Sequence, residues 1–308
     1  MENKFYSSFI KKILCLITAI IITCVSMAQK RLVGATSYGG DQFGTIFSIN
    51  AGGPAFLSQF NLAGIPGINP YDKMVEASNG KLYGTTYLGG NYQGGVLFEY
   101  DYITDVYTKK IDFDGANNGS NPDVALLRAS NDKLYGITTY GGPNSCGVLF
   151  EYDVNTAILT TKVNFSELDN RGAFPAGSVV QASNGKLYGQ ALTPDGNAGI
   201  IYEYDPATEI YTRKFDLPAG SFFGANAMVE APDGNLYGIT SYGGLNNAGF
   251  IFRYNFSTNV FEQVFDMSST TGATSLGAML LAGNGKFYGT TNTGGANNAG
   301  VIFEYDYV

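Results

Sequence analysis

The chain has 308 residues, with 18 Lys and Arg against 26 Asp and Glu, a formal net charge of −8, and neither histidine nor tryptophan. Without histidine, Ser-His-Asp and Cys-His catalysis, His-ligated zinc and the commonest general base are excluded. The acidic balance, with no basic run, argues against nucleic acid or an anionic lipid surface as partner.

The first element in chain order is a leader. Lys4, Lys11 and Lys12 make a basic start, residues 13–27 are apolar, and Ser26-Met27-Ala28 supplies small residues at a cleavage point. Residues 1–28 therefore read as a signal peptide cleaved after Ala28. The apolar run is too short for a comfortable membrane span, so no span is expected after processing. Cys24 follows Ile21-Ile22-Thr23, a poor match to the small-residue box that lipidation needs. Processing removes three lysines and one glutamate, which leaves a net charge of about −10. Cys146 is then the one remaining cysteine, so no intrachain disulfide can form. Other copies of its segment carry Gly94, Ala198, Ala248 and Ala299, which favours a small loop residue over a reactive thiol.

From there the chain repeats itself. A block reading Asn/Asp-Gly-Lys-Leu-Tyr-Gly recurs with its last glycine at Gly34, Gly84, Gly136, Gly189, Gly238 and Gly289, steps of 50, 52, 53, 49 and 51 residues. A period near fifty is that of a blade array, whose units cannot bury their own faces and must stack. In the second copy, residues 74–77 read as a short strand and Asn79-Gly80 as a type I′ hairpin turn. Residues 82–86, 96–100 and 106–113 read as three further strands, with a Gly-rich loop over 89–94 and a turn over 101–105. The third strand reads Val-Leu-Phe-Glu-Tyr from Val96 and from Val148, and Ile-Ile-Tyr-Glu-Tyr from Ile200. Such runs are apolar on both faces, as expected of a strand between two sheets. The whole predicts an all-β fold: one β-propeller domain over residues 29–308, with six four-stranded antiparallel blades and no helix. A flat sandwich is the alternative, but the regular period argues against it.

Within the block, the glycine after Leu-Tyr is expected to let a neighbouring blade approach closely. The recurring Glu99, Glu151, Glu203 and Glu304 are expected to be a structural hydrogen-bonding position, with Arg253 breaking the series. The fourth copy departs most, since residues 190–196 replace the usual Thr-Thr-x-Gly-Gly. The first copy lacks an inner strand and the last stops after its third, so both terminal blades are expected to have three strands. The missing strands belong to different blades, which argues against simple sharing and raises the expectation of a natural chain longer than this one.

The block Leu-Tyr-Gly-Thr-Thr…Gly-Gly…Gly-Val-Leu-Phe, over residues 82–98 and in altered form over 287–303, resembles the GloVer-type tandem repeat of bacterial choice-of-anchor surface proteins. It is also kelch-like in its Gly-Gly within a fifty-residue blade, without the kelch Trp. The resemblance implies an exported, surface-associated propeller; it carries no catalytic residues to transfer.

Two candidate ligand regions emerge. One is the loop face, where Tyr38, Leu88, Tyr140, Thr193, Tyr242 and Thr293 occupy one aligned position. Its variation means that the fold does not demand an aromatic there. Tyr38, Tyr140 and Tyr242, with Asn91, Asn144, Asn246 and Asn297, are candidates to stack on and hydrogen-bond a sugar ring, or else are ordinary loop residues. The other is the central channel, into which Glu76, Arg128, Gln181 and Glu230 are expected to point from the inner strands, as a polar lining or a mixed-charge site. The carboxylates of Asp112 and Asp114 lack the spacing of a calcium loop, so no metal or cofactor is expected. These readings favour a secreted or cell-surface, non-catalytic binding module, monomeric, with a glycan or a surface protein as partner. The alternatives are a carbohydrate-active propeller enzyme, in which Glu76 or Glu230 would act, and a purely structural or adhesive component.

Overall fold

The computed structural model describes residues 31–38, 43–50, 56–62, 67–224 and 226–308. The leader expected over residues 1–28 lies outside them. Among the described residues there are strands and no helices. Blade one holds β1 (Arg31–Thr36), β2 (Thr45–Asn50) and β3 (Phe56–Asn61). Blade two holds β4 (Val75–Glu76), β5 (Leu82–Thr86), β6 (Val96–Asp101) and β7 (Val106–Asp112). Blade three follows with β8 (Leu127–Arg128), β9 (Leu134–Thr138), β10 (Val148–Asp153) and β11 (Ile158–Asn164). Blade four has β12 (Ala173–Gln181), β13 (Leu187–Leu192), β14 (Gly199–Asp205) and β15 (Ile210–Asp216). Blade five has β16 (Val229–Glu230), β17 (Leu236–Ile239), β18 (Phe250–Asn255) and β19 (Val260–Asp266), and blade six β20 (Leu280–Leu281), β21 (Phe287–Thr290) and β22 (Ile302–Tyr305). Every sheet is an antiparallel meander in chain order, of three strands in blades one and six and four elsewhere.

The third strand of each interior blade is the core of the fold. From Val96 to Tyr100, and again from Val148 to Tyr152 and Ile200 to Tyr204, every side chain is buried. Burying one such aliphatic or aromatic side chain stabilises by roughly 1.5–3 kcal/mol. Each buried apolar cluster joins one blade to the next: Ile46 with Phe98, Leu97 with Phe150, Leu149 with Tyr202, Ile201 with Phe252, and Ile251 with Phe287.

The Leu-Tyr-Gly glycine has a different reason from the one expected. Gly84 pairs with Phe98 on the adjacent strand of its own sheet, and a Cβ on Gly84 would lie 2.7 Å from the Phe98 ring. The same ring lies over Gly136 (Phe150, 2.4 Å) and Gly238 (Phe252, 2.3 Å). The glycine is thus covered by a cross-strand aromatic of the same blade, not by a neighbouring blade. The Asn79-Gly80 turn is also corrected. Gly80 alone has a positive φ, 73°, and its N–H donates to Ala77 while Ala77 N–H donates to Lys81. That is a three-residue loop, a type I turn closed by a left-handed residue, rather than a type I′ turn.

The recurring glutamate is a structural node, as its repetition implied. Asn79 donates to the Tyr83 hydroxyl (2.8 Å), Tyr83 donates to Glu99 (2.5 Å), and Lys81 donates to the other carboxylate oxygen (2.8 Å). Asn131, Tyr135, Lys133 and Glu151 repeat it, as do Asn184, Tyr188, Lys186 and Glu203. Burial works to raise the Glu99 carboxyl, but Lys81, Tyr83 and the nearby Lys110 outweigh it and hold it below its ordinary value. Blade five keeps the node with its polarity rearranged. Asp233 replaces the asparagine and accepts from both Tyr237 (2.8 Å) and Asn235 (2.8 Å), while Arg253 turns to Glu262.

Candidate functional site

The links between blades carry the chain back to the centre. The links entering blades two, three, four and six hold a left-handed residue, Asn69, Asn121, Phe174 and Thr274 (φ 56, 59, 49 and 55°), followed in blades two to four by Pro70, Pro122 or Pro175. A backbone bridge ties the links entering blades two, three, five and six to the mouth loop of the blade entered, Ile68 to Leu88, Ser120 to Tyr140, Phe222 to Tyr242 and Ala273 to Thr293, while in blade four Ala173 pairs with Leu192 within the sheet. The link residues that follow converge on one cavity of about 690 Å³. Five blades contribute to its wall, which places it on the propeller axis, at the mouth formed by the longer loops.

The wall is two-sided. Blades two and three supply Tyr71, Asp72, Lys73, Tyr87 and Asp123; blade four adds Ser178; blades five and six present Ala227, Leu276, Gly277 and Ala278. Asp72 is fixed by backbone donors, Lys73 N–H at 2.6 Å and Ala125 N–H at 2.8 Å, and so braces blade two against blade three. Asp123 accepts from the Thr139 hydroxyl at 3.0 Å. Its burial, aided by the charge of Asp72, outweighs that bond and raises its carboxyl above the ordinary value. The Tyr71 ring meets Tyr87 edge-on at 5.3 Å. Burial, then the nearness of Tyr38, raises the Tyr71 phenol. The result is a polar wall of phenols and carboxylates facing an apolar wall.

The residues expected at the loop face are only partly brought together. Tyr38 reaches the cavity rim beside Tyr71. Tyr140 and Tyr242 are 46% and 47% exposed, and Tyr140 packs edge-on against Phe174 at 5.8 Å. The asparagines fasten their loops: Asn91 donates to Asp112, Asn144 to the Phe165 carbonyl and Asn246 to the Met267 carbonyl. Asn297 lies in the corresponding loop of blade six, next to Asn298, whose side chain accepts from Gly294. Cys146 is a buried loop residue donating to the Asn144 carbonyl. Asp114 is taken up by its own loop, accepting from Asn117 and Asn118.

The channel below the mouth, about 340 Å³, is lined mainly by apolar residues such as Ala125, Leu127, Val180, Val229 and Leu280. The residues expected to make it polar are not among its lining, and three of the four take part in clips between blades. Gln181 accepts from Ser130 N–H of the preceding blade (2.7 Å), and Glu230 from Ser183 N–H (2.7 Å). Arg128 pairs with Asp132 at 2.7 Å, and Ser78 of the preceding blade holds the Asp132 carboxyl low. The next turn has Pro232, which has no N–H to donate, and the residue facing it from blade six is Leu281. Glu76 is exposed and has no hydrogen-bond partner among the described residues.

The altered loop of blade four is a local repair. In other blades a threonine such as Thr138 accepts from Val148 N–H (3.2 Å) and donates to Tyr140 (3.0 Å). Ala191 stands there in blade four, and Thr193 takes over by accepting from Ala198 N–H (3.0 Å) and donating to Asp195 (2.6 Å).

Tyr71, Asp72, Tyr87 and Asp123 were not singled out from sequence. One signal did mark Tyr71 and Asp123: the aligned link position holds Tyr71, Asp123, Ala176 and Leu276, which vary between copies as the Tyr140 position does.

Six blades of three or four antiparallel strands around a central cavity define a six-bladed β-propeller. The chain belongs to the Gloeobacter/Verrucomicrobia repeat family, whose pattern matches residues 18–199 and 159–308. No curated protein matches its sequence. Among solved structures it is similar to a candidate 6-phosphogluconolactonase from Bacteroides uniformis, at 13% identity and a TM-score of 0.54, over 89% of this chain and 82% of that one. It is also similar to TolB from Acinetobacter baumannii, at 13% identity and a TM-score of 0.50, over 89% of this chain and 60% of that one. The extracellular domain of a candidate hybrid two-component system from B. thetaiotaomicron matches at 12% identity and a TM-score of 0.50, over 90% of this chain and 38% of that one. At such identities the likeness is one of fold.

Proposed function

We propose that the protein is an exported, non-catalytic binding module whose central mouth receives a glycan. The observation that carries this reading is the two-sided cavity, about 690 Å³, within the usual range for small-ligand sites. Sugars present hydroxyls along their edges and C–H groups on their faces. Asp72, Asp123 and Ser178 suit the first, and the Tyr71, Tyr87 and Leu276 side chains suit the second. Export is supported by the leader pattern of residues 1–28.

The test is binding of purified residues 29–308 to an immobilised glycan array, with each hit checked for released sugar. Binding without release, weakened about tenfold or more by Tyr71→Ala and by Asp123→Asn, is the expected outcome. If Tyr140→Ala and Tyr242→Ala together abolish binding while those two changes do not, the ligand sits on the outer loops instead. Silence across the array from a folded chain favours an adhesive role with a protein partner.

One observation favours a second reading. Glycosidases work with a pair of carboxyl groups in one cleft, and Asp123, its carboxyl raised by burial, lines this cavity together with Asp72. Sugar release lost in Asp123→Asn would establish that enzyme. The clip residue Glu230 would then be dispensable for turnover.

A further inference from the structure

The mouth holds negative charge that the fold leaves unanswered. Its two carboxylates have only neutral donors among the described residues: Lys73 N–H and Ala125 N–H for Asp72, and the Thr139 hydroxyl for Asp123. Neither makes an ion pair there. Elsewhere the chain supplies cations to the carboxylates it encloses. Glu99 has Lys81 and Lys110 at 2.8 and 3.3 Å, and Glu203 has Lys186 and Lys214 at 2.7 and 3.6 Å. Asp123 departs from that rule, being partly enclosed beside Asp72 with no cation to offset either.

Aromatic rings stand beside Asp123 instead. The Tyr71 and Tyr87 rings meet at 5.3 Å with their planes 68° apart, which makes two sides of a corner on the cavity wall. The carboxylate is near both. Burial first, and after it the neighbouring phenols and the Asp123 charge, raises the Tyr71 and Tyr87 hydroxyls. A carboxylate at a corner of two rings draws a cation by its own charge and by the negative faces of the rings.

The chemistry of the cation follows from what else is present. Two carboxylates are few for a metal ion, and no third ligating side chain joins them among the described residues. Tyrosine rings suit an organic ammonium. No arginine lines the cavity among the described residues, and two aspartates stand against one lysine, so a sulfate, phosphate or carboxylate on the ligand is poorly matched. That lysine, Lys73, also lines the channel below and thus stands at the floor, whereas Tyr71, Tyr87 and Asp123 line the mouth alone.

We propose that the mouth recognises a primary ammonium group borne on a sugar, so that its ligand is a glycan containing amino sugars with free amines. Asp123 pairs with the ammonium, the Tyr71 and Tyr87 rings flank it, and Asp72 adds to the negative field. This inference rests on the glycan reading of the same cavity and names the class of glycan.

The test compares two tetramers with one β-1,4-linked backbone, of glucosamine and of N-acetylglucosamine, by calorimetry with the purified chain at pH 6, where the sugar amines carry their protons. A third probe, 1,5-diaminopentane, offers ammonium groups without a sugar. The glucosamine tetramer is expected to bind at least tenfold more tightly than its acetylated form and than the diamine, and Asp123→Asn to remove that preference. Lys73→Met takes away a like charge and should strengthen binding of the glucosamine tetramer severalfold. Equal binding of the two tetramers, or tighter binding of the acetylated one, overturns the inference and leaves the glycan reading standing. Binding of the diamine alone, lost in Asp123→Asn, keeps the ammonium site and overturns the glycan reading. Weaker binding of the glucosamine tetramer by Lys73→Met, or no binding of any probe by the folded chain, overturns the ammonium site itself.

Discussion

On the tight-turn face, blades two, three, four and six carry the same lysine and tyrosine donating to the same glutamate, at 2.5–3.1 Å. At the mouth, the aligned link position carries Tyr71, Asp123, Ala176 and Leu276, so the group offered to the cavity changes from blade to blade; its neighbour changes too, Tyr87 meeting Tyr71 edge-on and Thr139 donating to Asp123. Where blade five departs on the tight-turn face, three changes (Asp233, Asn235 and Arg253) occur together and a hydrogen-bonded node survives. Repetition with compensation marks positions answering to the fold. Divergence in the group presented to a shared cavity marks positions free to answer to a ligand.

The largest way to break the repeated face is at its glycine. Gly136→Val places side-chain atoms where the Phe150 ring lies 2.4 Å from a Cβ, and should cost about 3 kcal/mol, read by urea or thermal unfolding. Gly185, whose added Cβ meets nothing within 4 Å, marks the contrast. Gly185→Ala should cost only about 1 kcal/mol, from its left-handed backbone.

The node comes next. Glu151→Gln removes a buried acceptor shared by Tyr135 and Lys133 and should cost about 2 kcal/mol. Burial opposes ionisation of Glu99, Glu151 and Glu203, but their tyrosine and lysine donors prevail and hold all three carboxyls below the ordinary value of 4.5. Their contribution is present above that value and is lost as pH falls through the lowered folded values, so the melting temperature should drop on acidification below pH 4.5. Asp123 has the opposite sign. Its raised carboxyl favours the folded state at low pH and disfavours it as pH rises, so Asp123→Asn should leave stability at pH 7 unchanged or slightly higher. A mutation that removes binding at the mouth without loss of stability would sharpen the contrast between the two regions.

A smaller effect tests whether the repeat can be improved by its own logic. Tyr100 and Tyr254 donate to Asp105 and Asn259, residues with φ of 57 and 58°. In blade three the equivalent is Ala157, also at φ 57°, and the Tyr152 hydroxyl is buried with no partner among the described residues. Ala157→Asn supplies both an acceptor and a residue suited to that backbone, and should stabilise by about 1 kcal/mol in thermal unfolding. Smallest is the interblade clip. Gln181→Leu should cost up to about 1 kcal/mol by orphaning Ser130 N–H, while Leu281→Gln should gain nothing, because Pro232 offers no donor.

Much of the fold was legible. The third strands announced themselves as runs apolar on both faces, and the fifty-residue period required stacking. The fate of Glu76, Arg128, Gln181 and Glu230 was not legible. They sit at the ends of inner strands two residues long, except in blade four, and so short an alternation does not say whether a side chain faces the axis or the next blade's turn. The glycine in Leu-Tyr-Gly was legible as a close approach but not as to its partner, since Gly84 and Phe98 meet only through the strand register.

The sequence by itself determined the number of blades, their order, the turn positions and the structural character of the repeated glutamate. Each of these is local or periodic, and therefore repeated in view. The tertiary structure alone decided that Tyr71, Asp72, Asp123, Ser178 and Leu276, spread over some two hundred residues, share one cavity. That depends on closing six similar sheets around an axis, which brings together residues one or more full periods apart, and no local pattern records that distance.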